Sequence, residues 1–380
     1  DLGADVIKIE RSYARGLREP VGDPIGGWIG KDPGKEPWNR NAAFVKLARN
    51  SRSVCVDLKH EKGREIFLEL VGHADVVIEN FSASTMSNLN LDYQTLVEAN
   101  PNIIYLTMPG FGKTGPYKDW VAFGPIIEPM SGLTAAMGYS LEEPRNSGVA
   151  LVDPTSATSA AAAIVTAIRS RKKKVGGSIK FDMSLHEAGV SFNGPWLIDS
   201  QLGAPSPALN NGHPNMCPHG VYPCKGEDEW LALACEDQKD WETLAKIDHS
   251  LDPSWTIKER QECADSINLS IAVWCETRTK ESAAEELQNM GIAAGPVNTV
   301  PDIFKDPHVE ERKFFVPFER AETPMPGNPI KMEGIDSSDW TRCPDLGEHN
   351  FELLEDWLGY TPDELNQFLE EGVIADRPPS

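Results

Sequence analysis

One acidic residue of this sequence stands where a side chain could do chemistry. Asp153 occurs in the run LVDPT, residues 151–155, directly before an alanine-rich stretch. An acidic residue followed by proline at the start of a helix is typical of an N-cap, and this motif alone favours that structural role. A carboxylate at a helix N-terminus is also kept ionised by the helix dipole, and an ionised carboxylate can attack a thioester. The motif therefore leaves a cap and a nucleophile open.

A glycine-rich run, GFGKTG at residues 110–115, satisfies the pattern G-x-G-x-x-G after a predicted strand. A dinucleotide-binding fingerprint must open a helix, whereas the continuation GPYKDW at residues 115–120 ends any helix within a few residues. A P-loop also fails, because Thr107 occupies the position of its first glycine. We expect a glycine-rich turn close to a ligand.

Four residues of the later chain could ligate zinc, namely His213, Cys217, His219 and Cys224. Their spacing matches no common structural zinc site, so we expect no metal. The motifs G-x-S-x-G and H-E-x-x-H do not occur, which lowers the serine-hydrolase and zinc-protease interpretations.

The elements that must position these residues alternate between strand and helix. Strand patterns cover residues 6–10, 54–58, 75–79 and 103–106, and helix patterns cover residues 61–71 and 95–99. This alternation predicts an α/β fold with a doubly wound, mostly parallel, Rossmann-like sheet that binds ligands at the carboxyl ends of its strands. A longer helix is predicted over residues 155–171, and the lysines at 172–174 with the glycines that follow supply its stop signal.

A second, smaller α+β unit follows in the sequence. Residues 221–224 and 230–234 flank a turn at 225–228 and predict a hairpin, and a Pro-, Gly- and Asn-rich stretch precedes it. We therefore assign residues 1–200 to a large domain, 201–225 to a linker and active-site loop, 226–315 to the small domain, and 316–380 to a C-terminal segment that returns to the large domain.

The charge balance limits the classes of partner that the protein can bind. Its 58 acidic and 36 basic residues give a net charge of -22, which repels nucleic acid and anionic lipid, so neither nucleic acid nor membrane is expected as a partner. A local basic cluster could still bind an anionic ligand. Seven cysteines without any CxxC fit a reducing cytoplasm. The chain begins without Met and directly on a strand, so we expect a further segment before it.

Several segments occur in one particular order along the chain. They are residues 2–11 (LGADVIKIER), 50–59 (NSRSVCVDLK), 75–81 (DVVIENF), 110–116 (GFGKTGP), 130–133 (MSGL), Asp153, 181–185 (FDMSL), 291–297 (GIAAGPV), 306–308 (DPH) with Arg312, and 346–350 (LGEHN). This ordered set resembles the class III CoA-transferases, the family of formyl-CoA transferase and carnitine CoA-transferase that also includes α-methylacyl-CoA racemase. The resemblance spans nearly the whole chain.

The resemblance implies a set of CoA contacts and a catalytic residue. The residues implied to contact CoA, as a cosubstrate and not a resident cofactor, are Arg11, Val56, Asp57, Leu58, Lys59, Asn80 and Phe81. Arg and Lys suit the phosphates of CoA. Asp153 is implied to attack an acyl-CoA, giving a mixed anhydride and then an aspartyl thioester, before a small carboxylic acid completes the exchange. The family also implies an interlocked homodimer.

The sequence departs from the family at the substrate side of the site. Phe123 and Gly124 align where the racemase carries His-Asp and formyl-CoA transferase carries Tyr-Glu, so the His that racemisation needs is lost. Glu128 lies close enough in sequence to take a role near the substrate, the alternative being a structural carboxylate. A glycine loop of the family is represented here by Gly212 and His213.

Three functions stay open at this point. CoA transfer with Asp153 as the nucleophile is the first hypothesis. Isomerisation at the α-carbon of an acyl-CoA, with Asp153 as the base, is the second. The third is a non-catalytic protein that binds CoA or a partner, in which Asp153 only caps its helix.

Overall fold

The computed structural model describes residues 1–12, 27–140, 142–171, 177–203, 210–317 and 324–379. The strands are β1 (Val6–Glu10), β2 (Ser51–Cys55), β3 (Val76–Glu79), β4 (Ile104–Thr107), β5 (Ile179–Asp182), β6 (His219–Pro223), β7 (Trp230–Ala234), β8 (Ala293–Pro296), β9 (Phe315–Val316) and β10 (Met325–Pro326). The helices are α1 (Ala42–Leu47), α2 (Glu61–His73), α3 (Thr85–Asn88), α4 (Tyr93–Ala99), α5 (Gly124–Met130), α6 (Leu133–Ala136), α7 (Val152–Arg171), α8 (Leu185–Phe192), α9 (Gly194–Gln201), α10 (Gln238–Leu244), α11 (Ile257–Glu262), α12 (Ala264–Glu276), α13 (Lys280–Asn289), α14 (Val300–Ile303), α15 (Pro307–Glu311), α16 (Asn350–Asp356) and α17 (Pro362–Glu370).

The chain divides into two compact units that are interleaved in sequence. Unit 1 comprises Asp1–Asp119, Ala160–Met183 and Phe304–Ser380, and unit 2 comprises Trp120–Ser159 and Ser184–Ile303. The large domain predicted from the sequence is instead one continuous stretch, residues 1–200. Unit 2 takes residues 120–159 and 184–200 from that stretch, and within them α5 packs with α6 and α8.

Parallel strand pairing in unit 1 confirms the expected α/β organisation. Strands β1 and β2 pair in parallel, and β3, β4 and β5 form a second parallel sheet in that order. The second strand ends at Cys55, three residues before the predicted end, so Val56, Asp57 and Leu58 belong to the turn that leads into α2.

Two sides of helix α2 contribute buried side chains to the core of unit 1. Ile66 and Leu70 pack with β2, α16 and α17, whereas Phe67 and Val71 pack with the strand and helix residues of β4 and α4. Apolar side chains at this spacing form a wide stripe along a helix, which is the pattern that predicted α2 from the sequence. The helix is thereby held between two clusters of buried side chains.

Unit 2 contains the predicted hairpin. Strands β6 and β7 pair antiparallel, and β8 joins β7 to complete a three-stranded antiparallel sheet. The residues between 223 and 230 make the turn, as the run KGED predicted. Helices α10, α12 and α13 pack their apolar residues against this sheet, with Trp241 fully buried in the shared core.

Helix α7 corrects one expectation about its start. It begins at Val152 and not at 155, so Asp153 lies inside the first turn and Pro154 is the third helical residue. The predicted lysine stop signal, residues 172–174, lies outside the described residues. Among the helices that the structure describes, none combines the length and apolarity needed to cross a membrane.

Candidate active site

Asp153 projects from the first turn of α7 without capping it. Its backbone N–H donates to the carbonyl of Ala150 at 2.9 Å, and the helical ladder starts with Thr155 N–H to Leu151 O at 3.2 Å. Within the described part of the chain, no hydrogen bond reaches the Asp153 carboxylate. The N-cap interpretation of this residue is therefore wrong, and the exposed side chain is left available for another role.

The carboxylate of Asp153 lies against the backbone of Gly124. A β-carbon placed on Gly124 would be 2.7 Å from Oδ2 of Asp153 and 2.8 Å from Oδ1, and 2.7 Å from the β-carbon of Ala150. Gly124 is the first residue of α5, followed by Pro125, which suits the first turn of a helix. The absence of a side chain at Gly124 therefore makes room for the carboxylate.

Glu128 lies one turn further along α5 and is buried, with 1 % of its surface exposed. Its Oε1 accepts a hydrogen bond from the Ser147 N–H at 2.6 Å. Its Oε2 accepts one from the Ser147 hydroxyl at 2.8 Å and one from the Leu151 N–H at 3.0 Å. The sequence left a role near the substrate and a structural role open for Glu128, and both of its oxygens bind the segment that leads into α7.

The surroundings of Asp153 disfavour its ionised form. Loss of water around the carboxyl group, and secondly the charge of Glu128, raise the pKa of Asp153 above its ordinary value of 3.8. A carboxylate that is incompletely solvated and makes no hydrogen bond is less stabilised as an anion. Such an anion is a stronger nucleophile than one held in an ion pair.

Three large apolar side chains close in sequence to Gly124 or Ala150 are exposed in unit 2. Phe123 precedes Gly124, has an extended backbone and is 62 % exposed. Ile126 and Val149 are exposed on neighbouring segments of the same unit. Phe123 carries no group that could transfer a proton, so the side chain at this position does not support racemisation.

The segment with Gly212 and His213 is bound to the small sheet and to α11. His219 Nδ1 lies 2.7 Å from Asn211 O, and the imidazole rings of His213 and His219 lie 5.3 Å apart. The Gln261 side chain donates to Pro214 O at 2.7 Å. These contacts order the segment around β6.

The first group of predicted CoA contacts lies at one sheet edge of unit 1. Glu10 pairs with Cys55 at the end of β1 and β2, so Arg11 and Val56 both follow the carboxyl ends of these strands. Arg11 and Lys59 are exposed, whereas the Val56 side chain is buried in the core. The Val56 side chain is therefore closed to a ligand, and its backbone N–H donates to Glu10 O at 2.9 Å.

The turn between β2 and α2 is closed by its own hydrogen bonds. The Lys59 N–H donates to Asp57 Oδ1 at 2.9 Å, and the Arg64 guanidinium donates to Lys59 O at 2.7 Å. A β-carbon on Gly63 would lie 2.1 Å from Asp57 O, so the turn and the first turn of α2 require glycine there. The turn that includes Leu58 thus has a defined shape at the N-terminus of a 13-residue helix.

The second group lies at the carboxyl ends of β3 and β4. Exposed Asn80 donates through its side chain to Met108 O, and Phe81 is 45 % exposed. Beneath them, buried Glu79 accepts from the Tyr105 hydroxyl at 2.7 Å and from the Phe81 N–H at 2.7 Å. Burial, followed by the hydrogen bond to Glu79, raises the pKa of Tyr105.

The structure thus brings the predicted residues together in groups. Phe123, Gly124, Glu128 and Asp153 are neighbours in unit 2. The predicted CoA contacts follow the carboxyl ends of strands in unit 1. In a parallel sheet these ends lie at the same edge, where ligands bind. In the part of the chain that is described, no three His, Cys, Asp or Glu side chains are arranged to hold a metal.

Sequence reasoning missed the segment that holds Asp153 in place. Nothing in the sequence marked Ser147, Ala150 and Leu151 as contacts of α5, because these contacts join residues 19 to 26 positions apart. Tyr105 was likewise assigned only to a strand, although its hydroxyl binds Glu79. A glycine-proline pair at the start of α5 was the one local signal of close packing there.

Comparison with known proteins shows the family of this chain. A profile of CoA-transferase family III matches residues 1–350. The chain is 29% identical to the succinyl-CoA–D-citramalate CoA-transferase of Chloroflexus aurantiacus, over 98% of this chain and 92% of that protein. It is 31% identical to the succinate–glutarate CoA-transferase of Agrobacterium fabrum, over 93% of this chain and 89% of that protein.

A solved structure supports the same assignment. The crystal structure of a CaiB/BaiF family protein from Brucella suis superposes with a TM-score of 0.79 and 28% sequence identity, covering 94% of this chain and 93% of that one. Because the family profile spans most of the sequence and the named relatives match nearly all of it, the chain belongs to the class III CoA-transferases.

Proposed function

We propose that this enzyme transfers CoA from an acyl-CoA thioester to a small carboxylic acid through covalent intermediates on Asp153. The observation that carries the proposal is the Asp153 carboxylate itself. It lies in the first turn of α7, is exposed and accepts no hydrogen bond from the described residues. The neighbouring residue 124 is glycine, so no side chain occupies the space that the carboxylate needs. A carboxylate held in this way can reach and attack an electrophilic carbonyl.

In the first half of the reaction an oxygen of Asp153 attacks the thioester carbonyl carbon. The carbon–sulfur bond breaks, giving a mixed anhydride and CoA thiolate. The thiolate then attacks the Asp153 carbonyl carbon of the anhydride, which releases the donor acid as a carboxylate and leaves an aspartyl-CoA thioester.

The second half repeats these steps in reverse order with the acceptor. The acceptor carboxylate attacks the aspartyl thioester, which releases CoA thiolate and forms a new mixed anhydride. The thiolate attacks the acceptor's carbonyl carbon, giving the new acyl-CoA and regenerating the Asp153 carboxylate. Each step exchanges one acyl bond for another, so no nucleotide is consumed.

For the substrates, we propose succinyl-CoA as the donor to test first. The relatives from Chloroflexus aurantiacus and Haloarcula hispanica are named for succinyl-CoA with D-citramalate and mesaconate, and the relative from Agrobacterium fabrum for succinate and glutarate. Small dicarboxylic acids are therefore the acceptors to test.

For CoA binding, we propose the residues that follow the strand ends of unit 1. Arg11 and Lys59 carry exposed cationic groups suited to phosphate, and Phe81 offers an exposed aromatic face. The parallel strands support a Rossmann-like description of this unit.

We also propose a homodimer. Val165 and Ile168 of α7 are large apolar side chains exposed on a single chain, 65 % and 40 % respectively, and a second copy could cover them. A reducing cytoplasm is the compartment we propose, because it would keep thiols such as those of the buried Cys224 and Cys235 out of disulfide bonds, as they are here.

Trapping with hydroxylamine tests the covalent intermediate directly. The protein is incubated with succinyl-CoA and hydroxylamine, and its intact mass and peptide map are read. We expect a hydroxamate at Asp153, because hydroxylamine cleaves both the anhydride and the aspartyl thioester. The Asp153→Asn variant should form none and should lose turnover by a factor of about 10³ or more.

A second measurement separates transfer from isomerisation. The protein is incubated with an α-methylacyl-CoA in deuterated water. Exchange of the α-proton without a hydroxamate at Asp153 would replace transfer by isomerisation. Turnover of succinyl-CoA with dicarboxylic acids, again with no adduct in the wild type, would instead refute the covalent intermediate.

A further inference from the structure

The three hydrogen bonds of Glu128 all reach the segment that leads into α7. Two come from Ser147 and one from Leu151, and Leu151 directly precedes the first residue of the helix. The two ends of a five-residue segment, 147–151, are thus bound to one buried carboxylate. A hydrogen bond to a charged group is stronger than one between neutral groups, so this attachment is firm.

The segment needs such an attachment because of its backbone. Ala150 has a φ of 49°, in the left-handed region that side chains other than glycine adopt at a cost. The carbonyl of Ala150 accepts the Asp153 N–H, and its β-carbon lies where it would meet a side chain at Gly124. A strained residue at this point holds its conformation only when its neighbours are fixed.

Helix α8 packs closely where α5 ends and α7 begins. A β-carbon on Gly189 of α8 would lie 2.8 Å from the Ser131 β-carbon and 3.1 Å from Val152, so α8 lies close to both α5 and α7. The Ser131 hydroxyl donates to Glu128 O at 2.8 Å. The backbone carbonyl of Glu128 is therefore bound at the end of α5, while its side chain binds segment 147–151.

We propose that Glu128 is a positioning residue for the nucleophile, which fixes segment 147–151 so that Asp153 presents its carboxylate beside Gly124. This inference rests on the proposed role of Asp153. Glu128 itself does not touch the substrate, because both of its oxygens are engaged and its side chain is buried. Its negative charge has a second consequence, which is to oppose ionisation of Asp153.

Other charged or titratable groups lie on or near these elements. His186 of α8 lies 3.1 Å from Met130 O, Glu187 lies in the first turn of α8, and Arg145 lies 3.8 Å from Glu143. Glu128 is the charged residue that acts on Asp153 among the described residues. Removing the charge of Glu128 should therefore lower the pKa of Asp153.

Two variants separate the charge of Glu128 from its hydrogen bonds. Glu128→Gln removes the charge and must lose at least one of the two N–H bonds, because an amide has a single acceptor oxygen. Ser147→Ala removes one hydroxyl bond and keeps the charge. The readout is the rate of hydroxamate formation at Asp153 with succinyl-CoA, measured against pH, with circular dichroism to establish folding.

For Glu128→Gln we expect the plateau rate to fall about 10- to 100-fold, since a displacement of about 1 Å can cost that much. The pH midpoint should move to lower pH, because the repulsion that raises the pKa of Asp153 is gone. Ser147→Ala should lower the plateau rate less than Glu128→Gln and keep the wild-type midpoint. A merely structural role would lower the rate without moving the midpoint.

Two outcomes would overturn the proposal. The first is a folded Glu128→Gln protein with the wild-type plateau, whether or not its midpoint moves, and the second is a lowered plateau with an unmoved midpoint. If Glu128→Gln does not fold, Glu128→Asp serves instead, since it keeps the charge but is too short to reach all three donors. A wild-type plateau in folded Glu128→Asp would then refute the positioning role.

These failures are distinct from failure of the proposed function. A wild-type protein that turns over succinyl-CoA without any Asp153 hydroxamate would refute the covalent mechanism and this inference together. A wild-type adduct combined with unaffected Glu128 variants would refute only the role of Glu128.

Discussion

A β-carbon on Gly124 would lie within 2.8 Å of both carboxylate oxygens of Asp153. These two residues are 29 positions apart and belong to different helices, so the contact is a property of packing between α5 and α7. Because real β-carbons essentially never approach so closely, the carboxylate can occupy its position only while residue 124 is glycine.

Gly124→Ala should therefore displace the Asp153 carboxylate. We expect kcat/KM to fall about 10- to 100-fold, since small displacements of a reacting group are costly. Steady-state kinetics and the rate of hydroxamate formation measure the effect.

Gly194→Ala is the matched control. Gly194 also opens a helix and is also followed by proline, and a β-carbon added there would meet nothing within 4 Å. The activity of this variant should stay within about twofold of the wild type. Equal losses in the two variants would refute the specific contact between residues 124 and 153.

Asp153→Asn should stabilise the fold at neutral pH. The pKa of Asp153 is higher in the folded protein than its ordinary value of 3.8, so the ionised residue opposes folding once the pH exceeds both values. Replacement by Asn removes that penalty at pH 7 and gains nothing at a pH below 3.8. Thermal melts should show a rise of about 1–2 °C at neutral pH, small because the residue is exposed.

Asp252→Asn, in the same unit, should change the melting temperature at pH 7 in the opposite direction. The hydroxyl and N–H of Ser254 hold the pKa of Asp252 below its ordinary value, so this carboxylate stabilises the fold above pH 3.8. Its replacement should lower the melting temperature at pH 7. A fall in melting temperature for Asp153→Asn as well would contradict the direction inferred for Asp153.

Tyr105→Phe should loosen the strand end that carries Asn80 and Phe81. It leaves an oxygen of buried Glu79 without its hydroxyl donor, which costs about 1–3 kcal/mol of unfolding free energy. If this edge binds CoA as proposed, KM for succinyl-CoA should rise while kcat changes little. Denaturant unfolding and steady-state kinetics measure the two effects.

Tyr93→Phe is the comparison for that variant. Tyr93 stacks on Tyr105, and its hydroxyl donates to the neutral Ser178 hydroxyl at 2.8 Å. Loss of this bond should cost about 1 kcal/mol or less and leave KM unchanged. An equal effect of the two changes on KM would argue against a role of the Glu79–Tyr105 pair at the proposed CoA edge.

Lys280→Met should destabilise unit 2 in a way that depends on pH. The Lys280 side chain is 3 % exposed and lies 2.8 Å from both Glu229 and Asp302. Lys280 holds the pKa of Asp302 below its ordinary value, so the pair stabilises the fold above pH 3.8 and less as the pH falls through the folded pKa. The melting temperature of the variant should fall by several degrees at pH 7 and by less in acid.

Lys258→Met makes the same chemical change at an exposed ion pair with Glu262, where N and O are 3.9 Å apart. Exposed pairs contribute little, so its melting temperature should match the wild type within about 1 °C. If Lys258→Met and Lys280→Met were equivalent, burial of Lys280 would not be the source of its effect.

The sequence by itself determined the family, the alternation of strands and helices, and the hairpin of unit 2. These features depend on local periodicity and on the order of short segments, which one chain displays directly. The bounds were less accurate, since β2 ends before the predicted Leu58 and α7 starts before the predicted 155. One consequence was that the local motif favoured a cap for Asp153, which lies inside the helix.

Only the tertiary structure decided what surrounds Asp153. The space at Gly124, the burial of Glu128 and its bonds to Ser147 and Leu151 join residues that are 19 or more positions apart. Propensity and periodicity describe neighbours along the chain, whereas these contacts arise when helices pack and exclude water. A carboxylate near a substrate and a structural carboxylate have the same sequence signal, and only the folded chain shows which groups the Glu128 oxygens bind.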